Sequence, residues 1–524
     1  MYNSAKGGDE HTDEQIWVCG GMNGAKPKLL LFSHICSPVF VTGAEKLLFL
    51  FTREMVRRFE CVMVVPQQGA IAEKVRALGV RTIVLDIPLC ISIYTAAPTI
   101  LEELEAMKRH SSWGRIHALL AEERPDYVLV NTSVHPLPAL AAKSMGIPTI
   151  WAMMETIMDR PGRNVSVPLI AANSDMVVGI SHSTLQPIQK LAPTAQTFML
   201  PPYLVRDELL PNSWAYHRLR LRQQYGWGEY HRVAGYLAAT IYTSKGLEQF
   251  VNAMLPIAFS DVRARFLIIG NSADDTYYRN CQKIAQQSGY GDRFLFLPFA
   301  EQIQHAFPVM DVLVVPSLVA EGFGMTALEG LMFGKGVVAF ASGGLSEILT
   351  ATGNEEFLVN TGDVNGITER VNMLLSNEGL LKAVGDRNTQ SSQQVFGVEA
   401  FRSRLDALIE QLPHSPGYQR SSLWRGSAPT VYLVEHGTKR PFASESAFLH
   451  RGYRFEEVTE VPDHDLNVLP SGHPIKDAVQ QNSVRAGRKK RSHSRSRTKR
   501  GSRKRRTRPV RGRKAGKKAH RRRR

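Results

Sequence analysis

The stretch VVPSLVAEGFGMTALEGLMFGKGVVAFASGGLSEIL (Val314–Leu349) concentrates the residues best suited to chemistry. Its apolar strand ends at Pro316-Ser317, a loop carries Glu321-Gly322-Phe323-Gly324, and a helix is predicted from Met325. A glycine-rich helix start lets unpaired backbone N–H groups approach a ligand closely, and the helix dipole adds positive potential there. That combination suits a phosphate or a sugar oxygen. Glu321 stands just before the helix and Glu329 about two turns away, so both carboxylates could accept hydrogen bonds from the hydroxyls of one extended ligand. Taken singly, each has a plainer reading: Glu321 as a helix N-terminal charge, Glu329 as part of a solvated face.

Other chemistries fit less well. Asp463-His464-Asp465 has the acidic-x-acidic form that could hold Mg²⁺, but it lies outside the α/β body and reads as a solvated turn. Asp274-Asp275 reads as the opening of a helix. No GxGxxG follows the first strand and no GxxxxGK[ST] loop occurs, Gly334-Lys335-Gly336 being too short a match. Neither a nicotinamide cofactor nor a metal is expected.

The elements that must position this stretch alternate between apolar strands and helical segments. Pro27–Ser33, Glu60–Pro66, Arg81–Asp86, Tyr127–Asn131, Pro148–Ala152 and Met176–Ile180 read as strands, with helices at Ala44–Phe59, near Ile100–Glu123 and at Pro136–Met145. A second series begins after residue 225, with strands at Arg232–Ala238, Ala264–Gly270, Phe294–Leu297, Val312–Pro316 and Gly336–Ala341. Helices are predicted at Gly246–Ala258, Asp274–Gln287 and Met325–Phe333. Strands apolar on both faces and separated by helices make covered parallel sheets, so the fold class is α/β, with two doubly wound Rossmann-like domains facing a cleft. The expected boundaries are a flexible leader at 1–26, an N-terminal domain at 27–205, a C-terminal domain at 206–412, a small hairpin-containing module at 413–474 and a disordered basic tail at 475–524. Within the module, His436-Gly437 is a candidate two-residue turn between Val431–Glu435 and Thr438–Phe442.

The whole Glu321-to-Glu347 string resembles the Glu-x7-Glu signature of the retaining nucleotide-sugar glycosyltransferases of family 4, whose architecture is called GT-B; Gly343-Gly344 with Glu347 is similar to the Gly-Gly-x-x-Glu that follows. Ser33–Leu48, Arg124–Thr132, Met145–Thr156, Phe266–Cys281 and Asp292–Phe299 resemble other parts of that family, so the likeness runs over about 28–412. It implies a nucleotide-sugar donor in the C-terminal domain and an unidentified acceptor in the N-terminal one. Glu321 would contact the transferred sugar beside the Phe323 and Gly324 backbone amides, Glu329 would hold the ribose, Lys245 would neutralise the diphosphate, and Gly43 would form the turn facing the cleft. Retention of anomeric configuration is implied by the resemblance alone. Three positions depart from the pattern. Tyr236 and Ser244 stand where an Arg usually accompanies the Lys, leaving Lys245 as the only cation of its segment. Met153-Met154-Glu155 replaces a common His-Glu pair, which makes His135 a substitute catalytic candidate, although a lone His is more often structural. Leu200–Leu209 lacks the usual Asn-Gly.

Charge divides the chain in a different way. Of 65 Lys and Arg against 48 Asp and Glu in 524 residues, 23 basic and no acidic residues fall in 485–524. The rest, 1–484, has a balance of −6. The tail contains no aromatic residue for base stacking and no apolar face for lying in a membrane. It is a polycation suited to an anionic partner: nucleic acid, a teichoic-acid-like polymer or an anionic membrane surface. Val431–Phe455 resembles a short module of bacterial envelope-associated proteins, and the tail resembles Arg-rich spore-coat tails. Five irregularly spaced cysteines, no basic-then-apolar leader and no transmembrane run suit a cytoplasmic protein; the module's resemblance implies a bacterial source, and the tail a place peripheral to a membrane or a spore or envelope surface.

The expected function is therefore a glycosyltransferase held on an anionic polymer or surface by its tail. The alternative is a catalytically impaired GT-B scaffold whose tail is the working part. A nucleotide-sugar epimerase on the same fold would instead form product without added acceptor.

Overall fold

The structure, a computed structural model, describes residues 26–38, 41–299, 302–413, 422–435, 438–449, 451, 453–455, 458–461, 463–467 and 470–476. Its contacts divide the chain into two compact units, 1–417 and 418–524. Residues 1–25 of the leader, the His436-Gly437 turn and residues 477–524 of the basic tail lie outside the described residues, whereas Ile475, assigned to the tail from the sequence, is buried in the core of the second unit.

The first unit contains two parallel sheets. The seven-stranded sheet is ordered β3-β2-β1-β4-β5-β6-β7, from β1 (Lys28–Phe32), β2 (Glu60–Val65), β3 (Arg81–Val84), β4 (Tyr127–Asn131), β5 (Thr149–Met153), β6 (Met176–Gly179) and β7 (Thr197–Met199). The six-stranded sheet is ordered β10-β9-β8-β11-β12-β13, from β8 (Arg232–Ile241), β9 (Ala264–Ser272), β10 (Phe294–Leu297), β11 (Val312–Val315), β12 (Gly336–Phe340) and β13 (Leu358–Val359). Leu29, Leu30 and Leu31 are consecutive and all fully buried, as helices covering both faces require. In each sheet the strand order reverses beside the first strand. Ligands of such folds bind in the crevice beyond the carboxyl ends of the strands at that switch point.

The short edge strands β7 and β13 are absent from the sequence reading, and two helical features differ from it. The single helix expected near Ile100–Glu123 is two, Ile100–Lys108 and Ser111–Glu123, because the His110 ring accepts a hydrogen bond from the Ser112 amide and starts a new helix. The helix Val398–Gln411, drawn within the C-terminal domain, packs on the N-terminal one. Its buried Phe401, Leu405 and Leu408 recur at the spacing of one helix face, and the Phe401 ring lies 5.5 Å from Phe51 and 4.6 Å from Tyr203. Arg402 adds an ion pair at 2.8 Å to the buried Glu54 carboxylate. The chain thus ends its second domain by stapling it to the first.

The second unit is a four-stranded sheet, β16-β15-β14-β17, made of β14 (Ser422–Arg425), β15 (Val431–Glu435), β16 (Thr438–Pro441) and β17 (Val458–Glu460). Glu435 pairs with Thr438, the register of a two-residue connection. Leu423, Val431, Leu433, Phe448 and Ile475 form its core. Asp463 opens a short helix, Asp463–Asn467, and its carboxylate accepts hydrogen bonds from the Ser427 amide and hydroxyl at 2.9 and 2.5 Å.

Two imidazoles, the half-buried His34 and the buried His135, lie near the carboxyl ends of β1 and β4. Burial holds His34 down at about 4; burial, with the neighbouring His34, holds His135 at about 3. Both are therefore neutral at ordinary pH.

Two predictions follow from this packing. Phe401→Ala should destabilise the first unit by about 3–5 kcal/mol, read from urea denaturation, because it empties a closed aromatic pocket between the domains. Below about pH 6.5 the unfolded chain gains imidazole protons that the folded chain excludes, so stability should fall as pH drops from there towards the folded values and stay level above it. Denaturation midpoints taken between about pH 7.5 and about pH 4.5 should decline, and His135→Gln should flatten the slope.

Candidate functional site

Lys245 and Glu321 come from different loops of the C-terminal domain and are held together by backbone geometry. β8 runs into a single turn, Thr243–Lys245, closed by Gly246 at φ +71°. A Cβ at Gly246 would stand 1.9 Å from the Pro316 carbonyl oxygen, so only glycine lets the two loops touch. The Leu318 amide also donates to the Ser244 carbonyl at 2.8 Å. With the loops locked, the Lys245 ammonium meets the Glu321 carboxylate at 2.6 Å.

The Gly343-Gly344 pair shapes the other side of the Glu321 loop. Gly343 has φ +60° and bridges to Glu321, and the Gly344 amide donates to the Glu321 carbonyl at 2.8 Å. A side chain at Gly343 would strike that carbonyl oxygen at 2.4 Å. The loop is thereby laid flat before the helix Met325–Met332, whose Gly324 start is open to the cavity.

The N-terminal domain closes over this face. In the helix Gly43–Met55, the Glu45 carboxylate accepts from the Thr42 amide at 2.8 Å and the Ser37 amide at 3.1 Å, which anchors the loop after β1. The next residue, Lys46, reaches across and pairs with Glu329 at 2.5 Å. At the start of the helix His182–Leu191, the His182 and Ser183 amides donate to the Glu347 carboxylate at 2.7 Å each. The Ser181 hydroxyl donates to the Gly322 carbonyl at 2.5 Å. Gly322 is pressed so closely on the Met154 carbonyl that a Cβ would lie 2.4 Å from its oxygen.

Between the domains lies a cavity of about 690 Å³. Gly43, Lys245, Glu321, Phe323, Gly324 and Glu329, all singled out in the sequence, line it. The Phe323 ring is turned into the core against Phe396 at 5.5 Å, which leaves its backbone for a ligand. His135 does not line the cavity. It caps the helix Pro136–Ser144 with its ring buried against Phe32, and its Nδ1 has no hydrogen-bond partner among the described residues. A proton relay to the cavity would need a ring that faces it, and His135 faces the core instead.

Tyr236, at the position where the resemblance leads one to expect an Arg, is 2% exposed and lines the cavity without charge. Glu155 is half-buried, accepts hydrogen bonds from the Ser133 amide at 2.8 Å and from the Ser133 hydroxyl, and has its carboxyl pushed up by desolvation. Lys46 was not anticipated from the sequence. Thr42-x-x-Glu45 has the form of a helix-start pattern and could have placed Lys46 in the first turn. Its partner 283 residues away is a tertiary fact. Among the described residues, no group of three or more His, Cys, Asp or Glu gathers to hold a metal, and no helix is long and apolar enough to cross a membrane.

Residues 231–377 match the model of the family described as Glycosyl transferases group 1. The chain is 22% identical over 248 residues to the N-acetyl-alpha-D-glucosaminyl L-malate synthase of Bacillus anthracis, covering 47% of this chain and 62% of that one. It is 26% identical over 306 residues to the D-inositol 3-phosphate glycosyltransferase of Xylanimonas cellulosilytica, covering 57% and 70%. The matched part spans 62%, 45% and 44% of the first three curated relatives. Among solved structures, Anabaena Alr3699/HepE in complex with UDP and glucose superposes with a TM-score of 0.60 at 17% identity, over 74% of this chain and 100% of that one. Sucrose-phosphate synthase of Thermosynechococcus elongatus gives 0.56 at 18% identity, over 74% and 99%. The architecture is therefore GT-B, and the match to the Glycosyl transferases group 1 model falls on its C-terminal domain.

Proposed function

We propose that this protein is a glycosyltransferase of family 4 that moves a sugar from a nucleotide-sugar donor to an unidentified acceptor with retention of anomeric configuration. The observation that carries the reading is the placement of Lys245, Glu321 and Glu329 around one glycine-rich helix start inside the interdomain cavity. In this reading Glu321 accepts hydrogen bonds from the sugar, with the Phe323 and Gly324 amides beside it, and Glu329 accepts from the ribose. Lys245 lies against the diphosphate, and Gly43 bounds the site from the N-terminal side. A fixed ammonium costs little reorganisation as charge grows on the departing nucleoside diphosphate, and it lowers the barrier for that reason. The UDP and glucose bound by the Anabaena protein agree with this donor class, and the Xylanimonas relative is named a glycosyltransferase.

A second reading is favoured by one observation: His135 faces the core and Tyr236 brings no charge, so the cavity holds fewer reactive groups than the resemblance implies. It is a GT-B scaffold that binds a nucleotide without transferring a sugar. In either reading the 485–524 polycation holds the protein on an anionic polymer or surface.

Purified full-length protein should release or transfer sugar from a UDP-, GDP- or ADP-sugar. Glu321→Ala and Lys245→Ala should each lower that rate by about 10²–10³ while thermal melts stay close to wild type. Unchanged turnover in both variants would remove the catalytic assignment; diphosphate binding without any turnover would select the scaffold. Deletion of 485–524 should abolish salt-sensitive retention on heparin or anionic vesicles, and unaltered retention would refute the tail's role.

A further inference from the structure

Two charge pairs span the cavity, and they are built differently. Lys245 and Glu321 both belong to the C-terminal domain. Lys46 and Glu329 face each other across the cleft, one from each domain. The Glu329 carboxylate is 7% exposed and the Lys46 side chain 37%, so the acid is fixed in the wall while the base reaches in from a more open position. The Glu321 and Glu329 carboxylates are therefore both already paired with lysines. A ligand hydroxyl that takes the Glu329 Oε1 displaces Lys46 from it, and the displaced ammonium stays within the same cavity, on the first turn of a helix that begins at the Gly43 turn.

A nucleoside diphosphate sugar carries two negative charges into that space. Lys245 supplies one cation. Of the other basic residues lining the cavity, Arg53 is held by Glu208 at 2.8 Å and by the Tyr203 hydroxyl at 2.8 Å, and Lys74 lies on an exposed helix face. Lys46, like Lys245, has a partner that the ligand's hydroxyls would take, and of the two it is the one that comes from the opposite domain. Its ammonium then sits near two helix N-termini, at Gly43 and Met325, whose dipoles favour an anion at the same place.

We infer that Lys46 is an exchangeable latch: it closes the empty cleft on Glu329, and when a ribose takes Glu329 it becomes the second cation on the diphosphate. The inference rests on the nucleotide-sugar reading above and adds to it a residue from the opposite domain. Binding of the donor would thus exchange one cross-cleft contact for another rather than open the cleft. Specificity for a diphosphate over a bare nucleoside would come partly from the N-terminal domain.

Full-length wild type, Lys46→Met, Lys46→Arg and Lys74→Ala would be titrated calorimetrically with UDP, GDP and ADP. Uridine, guanosine and adenosine would be followed by saturation-transfer NMR. Lys46→Met should weaken the preferred diphosphate by about tenfold or more, while its nucleoside binds as well as to wild type or better, because Glu329 has lost its internal competitor. Lys46→Arg should hold the diphosphate within about threefold, and Lys74→Ala should leave it unchanged. Equal diphosphate affinity in wild type and Lys46→Met would overturn the inference, as would a parallel loss of nucleoside and diphosphate. Wild type that binds none of the three diphosphates overturns the donor reading itself, an outcome distinct from a binding wild type with an indifferent Lys46→Met.

Discussion

Two carboxylates facing one cavity must be compensated, and here the compensation comes from opposite sides of a cleft. Glu321 takes Lys245 from its own domain, and Glu329 takes Lys46 from the other. A partly buried acid without a cation or a hydrogen-bond donor would be costly. Charge balance therefore ties the position of the N-terminal domain to the contents of the site. The neighbouring contacts have the same logic. Glu347 accepts from the amides that open the His182 helix, and the Gly322 carbonyl accepts from Ser181. Each satisfies a group at an element's end by using the other domain.

The glycines make this proximity possible. Gly246 and Gly343 sit at positive φ where a Cβ would collide with backbone oxygen, so the loops bearing Lys245 and Glu321 can lie against each other and against the turn that follows β12. The helix Val398–Gln411 acts at longer range. By burying Phe401 between Phe51 and Tyr203 it brings the end of the second domain back to the first and restricts how far the cleft can open. Precision at the ammonium–carboxylate pairs depends on both scales: tight turns set the ångström, and the returning helix sets the approach of the domains.

The cavity also separates groups that look chemically alike in the sequence. Glu329 and Glu347 both lie downstream of Glu321 in the same string, but one lines the cavity and the other clasps a helix start in the opposite domain. The buried His135 and the half-buried His34 are neutral bases near strand ends, whereas His182 is exposed and lends its backbone amide to Glu347. Residue type names a capacity; burial and direction decide whether it is used.

Apolar runs bounded by turns were enough to read all but one edge strand of each parallel sheet, because a strand buried on both faces must be continuously hydrophobic; β7 and β13 are three and two residues long, too short to carry such a run. The glycine-rich start before Met325 and the pair Glu321 and Glu329 were legible for a similar reason: their constraints are local to one strand, turn and helix. The chain's net charge was also resolvable into a mildly acidic body and a basic tail by position alone. What local pattern could not carry was any contact between distant segments. That Lys46 finds Glu329, that Glu347 is spent on His182 and Ser183, that the last long helix leaves its own domain, and that His135 turns away from the cavity were all decided by tertiary packing. Side-chain direction and partner depend on which surfaces are buried together, and that is set by the whole fold rather than by neighbours in sequence.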